Sequence, residues 1–372
     1  MSIAARNERG AERAAAANRV AVSATPPAPV VDGIPFARAG REELAAEVAG
    51  LLAHGETDRA RVLLLADADD WWTEPPPPAE QLARVPAAGT LREAMQLLGM
   101  GRVADYFTHR WSDPTHLAGL ALLQQHWPGG RPVVDVACGI GAQLRELARR
   151  GQTDLLGLDV VWSKLWLARR FVCPSARYVC ADVTALPGAE AGALPTTVGR
   201  APAPPAYVLC HDAFYFVRDK PAAAAALHAL AGPGGTVVVG HAHVSDPHGE
   251  PSSPEEYAAV LDAELLYDDE ELTRSLLERR APRPAPAGDL TGSEAIGLVA
   301  GDLRGPAPVD LGEPLGPLRP NPHYADGVLR WPSERYAAEY GPRSGYLPAR
   351  WPDPLPPDAA RRRLLVDLPE QW

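Results

Sequence analysis

The sequence predicts an α/β fold organised on a doubly wound, mostly parallel sheet. Between residues 133 and 240, short strands of near-continuous apolar residues alternate with helical stretches, a pattern that expects helical cover on both sheet faces. The first of these strands also runs directly through a glycine turn into a helix. At 372 residues the chain is long enough to bury a large core without disulfides. Cys138, Cys173, Cys180 and Cys210 form no Cys-x-x-Cys pair and lie in or beside predicted strands, so they read as buried, reduced thiols of a cytoplasmic protein. A net charge of −11 argues against nucleic acid as a partner. No long apolar run suggests a membrane span or an export signal.

In chain order, residues 1–32 are rich in Ala, Arg and Pro and read as a disordered tail. Residues 33–88 read as a helical extension, with an antiparallel helix pair over Arg41–His54 and Thr57–Ala66. Residues 89–127 form a helical segment carrying Tyr106, His109, Trp111 and His116 immediately ahead of the first core strand. The core spans 128–310. Its strands are Val133–Val136, Leu155–Leu158 ending in Asp159, Ala176–Val179 leading to Asp182, Tyr207–Cys210 running into His211 and Asp212, and Thr236–Gly240 followed by His241 and His243. The Pro-rich stretch Gly188–Pro205 reads as a surface insertion. Ser253–Leu266 and Asp268–Arg280 read as helices opened by acids, and Ala295–Ala300 as a late strand. Residues 311–372 form a Pro- and aromatic-rich appendage, either wrapped on the core or lining a substrate pocket.

The turn after the first strand separates the ligand classes. It reads Val-Val-Asp-Val-Ala-Cys-Gly-Ile-Gly from Val133 to Gly141, which places backbone N–H groups at a helix start under any ligand lying above. A dinucleotide fingerprint needs a third glycine where Leu144 stands, which leaves an NAD dehydrogenase as a distant alternative. No Lys-Ser or Lys-Thr pair follows, so a Walker loop is excluded. The acid at Asp135, the small residue at Ala137 and the glycines at Gly139 and Gly141 resemble the first motif of the class I S-adenosylmethionine-dependent methyltransferases. Many members carry glycine where this chain has Ala137. The ordered strand ends from Asp135 to His243 extend that resemblance over under a third of the chain.

The resemblance implies a seven-stranded sheet and S-adenosyl-L-methionine as cofactor, bound by Asp135, Ala137, Gly139, Gly141, Asp159, Val160, Asp182, Val183 and His211. Asp159 is then expected to accept the ribose hydroxyls, Asp182 to meet the adenine amino group, and the N–H of Val183 to meet the ring. It also implies that a segment just upstream of the first motif folds over the sulfonium end, making Tyr106, His109, Trp111 and His116 lid candidates. A sulfonium methyl is already electrophilic, so positioning carries much of the catalysis. A hydroxyl or protonated amine acceptor additionally needs a base, for which histidine has the suited pKa. The catalytic candidates are His211 first, then His241, with Tyr215 and Asp212 orienting the acceptor; His211 alternatively contacts the methionine part of the cofactor. If the fifth strand stays extended, His241 and His243 face opposite ways and only one looks into the cleft. No set of His, Cys and carboxylate has metal-binding spacing in the sequence, and His241-Ala-His243 alone does not make one. The expected activity is methyl transfer to an O, N or C nucleophile of a small or medium-sized molecule. The alternatives are non-methyl use of the same cofactor, by cyclisation or decarboxylation, and a non-catalytic binding protein. The letters carry no information on oligomeric state.

Overall fold

The computed structural model describes residues 27–185, 204–245, 249–305 and 317–372. A nine-stranded sheet runs through the centre in the order β1-β2-β5-β4-β3-β6-β7-β9-β8. Its strands are β1 (Val30–Val31), β2 (Ile34–Ala37), β3 (Val133–Val136), β4 (Leu155–Asp159), β5 (Arg177–Ala181), β6 (Tyr207–His211), β7 (Thr236–His243), β8 (Leu265–Asp268) and β9 (Ala295–Gly301). Strands β2 to β7 pair in parallel, and β9 pairs antiparallel with both β7 and β8. Without β1 and β2 this is the expected seven-stranded, doubly wound sheet. The chain winds outward from β3 to β5 and then returns to β6 on the other side of β3, so the topological switch lies between β3 and β6.

Alternation along the strands feeds two separate cores. Val133, Leu155, Tyr178, Tyr207 and Val238 enter one face, whereas Val134, Leu156, Val179, Val208 and Val237 enter the other. The first face is covered by α1 (Glu42–Ala53), α2 (Thr57–Ala66), α3 (Leu91–Leu97), α4 (Gly101–His109), α5 (Pro114–His126), α6 (Ala142–Arg149) and α7 (Trp162–Leu167), which contribute residues such as Val48, Leu64, Leu91, Phe107, Leu120, Leu144 and Trp162. The second is covered by α8 (Lys220–Ala231) and α9 (Pro254–Leu261), through Leu227, Leu230, Tyr257 and Leu261. Helix α10 (Asp269–Glu278) returns to the first face with Leu272 and Leu276. Helix starts follow their side-chain caps: Thr90 accepts from Glu93, Asp113 from His116, and Ser253 closes a capping box with Glu256.

Two stretches differ from the sequence reading. Residues 30–37, assigned partly to a tail and partly to a helical extension, form a hairpin whose second strand extends the sheet beyond β5, with Phe36 opposite Cys180. Residues 265–266, assigned to the end of a helix, begin edge strand β8, because α9 stops where Asp262 turns left-handed with φ 49°. Most of the insertion assigned to Gly188–Pro205, and the tail up to residue 26, lie outside the described residues. Among the described residues no helix is long and apolar enough to cross a membrane. The four cysteines are buried and unpaired with one another.

Candidate active site

The turn leaving β3 is shaped by left-handed backbone. Ala137, Gly139 and Gly141 have φ of 57°, 54° and 76°. That conformation suits glycine and strains alanine, which explains why glycine is the residue to expect at position 137. Asp159 at the tip of β4 locks this turn: one carboxylate oxygen accepts the Gly139 N–H at 2.9 Å and the other accepts the Val161 N–H at 2.9 Å. Asp159 and Gly139 therefore lie side by side, and Val160, the next residue, accepts the Cys180 thiol at 3.4 Å through its carbonyl. Asp182 follows β5 on the same edge and caps a short turn, accepting the backbone and hydroxyl of Thr184 at 2.8 and 2.7 Å; Val183 is buried below it. Asp135 is buried within β3, and burial pushes its carboxyl well above the carboxylate range; Arg110 opposes the shift and Asp159 adds to it.

The ends of β6 and β7 supply a second group. His211 is enclosed: its Nε2 lies 3.1 Å from the Thr115 carbonyl, and Gly119 and Gly240 leave the space its ring fills. Burial lowers its pKa to about 4. His241 differs. Its Nδ1 hydrogen-bonds the Asp269 carboxylate at the start of α10, and its Nε2 lies 3.4 Å from the Thr115 hydroxyl. Burial lowers the pKa of His241, but the charge and hydrogen bond of Asp269 outweigh it and the net shift is upward. Asp212 accepts from Tyr106 at 2.5 Å on one oxygen and from Tyr215 at 3.1 Å on the other. Burial raises its pKa, but His241 and His211 together with Tyr106 hold the carboxyl below its ordinary value.

The expectation that His241 and His243 point to opposite sides is not met. The β7–β9 register shifts between Val239 and Ala242, and His241 itself has φ 52°, so the strict two-residue alternation is broken between the histidines. Their ring centroids are 4.7 Å apart, and Asp212, His241 and His243 each bring one ligand-capable atom within 4.8 Å of the others. The third member of that cluster, Asp212, directly follows β6, which is why spacing in one segment did not show it.

The segment upstream of β3 covers this edge. Phe107 on α4 lies against Gly139, where an added Cβ would come within 3.4 Å of its ring. Tyr106, the preceding residue, holds Asp212, and the buried Arg110 lies 4.5 Å over the Tyr106 ring. Trp111 and His116 pack edge to face in the core below, and His109 stacks on His323 of the C-terminal segment at 4.7 Å. That segment reaches the same helix with Tyr340, 6.4 Å from Tyr106. Three residues near the site, Phe107, Arg110 and Gln143, carry no signal in the sequence pattern, and Asp269 carries one of a different kind. The acid of Asp269 was visible, but as a helix-opening residue. Gln143 is buried with no hydrogen-bond partner on its side-chain amide.

Residues 133–235, from the first strand to the turn before β7, match the family model of a methyltransferase domain. Within the sheet core, residues 133–235 form a methyltransferase domain. No curated protein matches the chain. Solved structures that resemble it include a TehB-like S-adenosylmethionine-dependent methyltransferase from Corynebacterium glutamicum, at 18% identity over 49% of this chain and 85% of that one, with a TM-score of 0.34. An amino pentose methyltransferase of Micromonospora echinaspora, involved in calicheamicin biosynthesis, shares 27% identity over 35% of this chain, with a TM-score of 0.26; the match spans 50% of its length. The cyclase SpnF shares 16% identity over 52% of this chain and 81% of its own, with a TM-score of 0.35. At such TM-scores these likenesses decide nothing about the methyltransferase's acceptor.

Proposed function

We propose that this methyltransferase moves the methyl group of S-adenosyl-L-methionine to a nucleophile of a small or medium-sized molecule, across the switch between β3 and β6. The observation that carries the reading is the meeting of two groups on one sheet edge: the left-handed turn at 137–141 tied to Asp159, and the cluster of Asp212, His241 and His243. The turn and helix start take the methionine end of the cofactor on bare backbone. Asp159 has lone pairs left over for the ribose hydroxyls, Asp182 takes the adenine amino group and the Val183 N–H the ring. The lid helix excludes water above, and the tail tyrosines close the acceptor side.

In the transfer, the acceptor's lone pair forms the new bond to the methyl carbon while the carbon–sulfur bond breaks. Its electron pair stays on sulfur, giving S-adenosylhomocysteine. A hydroxyl or protonated amine must also lose a proton. That task moves from His211 to the Asp212, His241 and His243 cluster, because a buried imidazole with a pKa of about 4 is a weak base at neutral pH and its Nε2–H is directed at Thr115. His211 then acts by positioning α5 against the strand tips.

The test is calorimetry with S-adenosylmethionine, followed by mass spectrometry for S-adenosylhomocysteine over a panel of hydroxyl and amine acceptors. Binding is expected in wild type and at least tenfold weaker binding in Asp159→Ala. Unchanged affinity in that variant would remove Asp159 from the ribose. An acceptor converted without S-adenosylhomocysteine would move the domain to non-methyl chemistry.

A further inference from the structure

We infer that Asp212, His241 and His243 form a binding site for a divalent transition-metal ion, which holds the acceptor through an oxygen or nitrogen atom. Two imidazoles and one carboxylate converge within 4.8 Å of one another, so three protein ligands can reach one ion and leave positions open for a substrate atom. This donor set suits zinc, iron(II), cobalt(II), nickel(II) or manganese(II) better than magnesium or calcium, which prefer oxygen throughout.

The surroundings are those of a built site. Asp269 accepts the Nδ1–H of His241, which fixes the tautomer and puts the lone pair on Nε2, where an ion would displace only the long 3.4 Å contact with the Thr115 hydroxyl; this is the carboxylate–histidine arrangement that supports metal ligands. Tyr106 and Tyr215 each donate to a different oxygen of Asp212 and so fix the plane of that carboxylate, while each oxygen keeps a second lone pair. Asp212 and His241 both sit in left-handed backbone, with φ of 58° and 52°. Neither is glycine, and strain of about 1–3 kcal/mol per residue persists only where surrounding structure holds it. The bulge in β7 turns His241 toward His243. These are features that aim ligands, and none is needed for a sheet end that only packs.

The inference rests on the methyl-transfer reading and deepens it. A bound ion would lower the pKa of a coordinated hydroxyl, whose deprotonated oxygen keeps a further lone pair to turn toward the cofactor; an acceptor amine would keep its single lone pair for the methyl group only if a neighbouring atom bound the ion. With the ion bound, Asp212, His241 and His243 would serve as ligands in place of the base role, and the proton of the acceptor hydroxyl would pass to solvent water as its oxygen binds the ion. The substrate class is one with a metal-binding oxygen or nitrogen at or beside the methylated atom.

The experiment strips the full chain with EDTA and titrates it with cobalt(II), read by calorimetry and by the visible ligand-field band. Wild type is expected to bind one equivalent with a band typical of a low-coordinate nitrogen and oxygen site. His243→Ala is expected to lose the band. Asp269→Asn is expected to weaken binding 10–100-fold as a positioning residue while keeping it. A wild type that shows no stoichiometric band overturns the inference, whatever the variants do, as does a full band in folded His243→Ala. S-adenosylmethionine binding is measured on the same stripped protein. Cofactor binding without cobalt binding sinks the metal site alone, and loss of cofactor binding sinks the transferase reading.

Discussion

At the scale of single residues, three left-handed residues that are not glycine stand on one sheet edge: Ala137, Asp212 and His241. Ala137 has no polar group to justify its strain. Ala137→Gly should therefore relieve about 1–2 kcal/mol of left-handed strain against about 0.5–1 kcal/mol of extra unfolded-chain entropy, a net gain that a small rise in Tm would register. Gly139→Ala should act in the opposite sense. Its φ of 54° disfavours a side chain, and the new Cβ would stand in ordinary contact with the Phe107 ring at 3.4 Å, on the face where the cofactor would lie, so weaker S-adenosylmethionine binding by calorimetry is expected. Unchanged affinity would place the cofactor away from this turn. The glycines and acids here were legible in the sequence because backbone demands select residue types locally. The partnership of His241 with Asp269 was not, since it joins β7 to α10 through the fold.

At the scale of elements, the strands from β3 to β7 and the late strand β9 were legible because each is a continuous apolar run bounded by turn residues. Strand β8 was hidden: Leu265, Leu266 and Tyr267 sit between two helices, and only pairing with β9 makes them a strand. The β1–β2 hairpin was hidden for the same reason, with short strands whose partner is β5, far along the chain. The bulge in β7 reversed an argument from alternation that holds only for unbroken strands. Helix α5 shows how tightly such elements meet. A Cβ on Gly119 would lie 2.5 Å from the Gln143 amide and 2.6 Å from the His211 ring. Gly119→Ala should destabilise by about 1–3 kcal/mol through overpacking, seen as a lower midpoint in urea. A wild-type midpoint would mean that α5 and the His211 ring separate easily.

At the scale of the molecule, His126 and His323 are buried and neutral. Burial lowers His126 to about 4 and His323 to about 3. In the unfolded chain each takes a proton below about 6.5, while the folded state resists it. Stability is therefore complete above that pH and falls as pH drops toward the folded values, by about 1.4 kcal/mol per unit for each such group. Tm should decline from pH 7 to pH 4.5, and less steeply in His126→Gln; parallel curves would show that His126 is already hydrated in the fold. The C-terminal chain, whose placement the letters left open, is held to the lid by several polar anchors as well as rings. Tyr346 donates to the Ser112 carbonyl at 2.5 Å and Arg363 donates to that of Trp111 at 3.0 Å. A single short helix, α4, thus rests Phe107 on the turn at Gly139, holds Asp212 through Tyr106 and meets the tail at Tyr340. On the proposed reading, lifting this helix would uncover the glycine turn and the Asp212 cluster together, so loading one substrate and admitting the other would be one mechanical event.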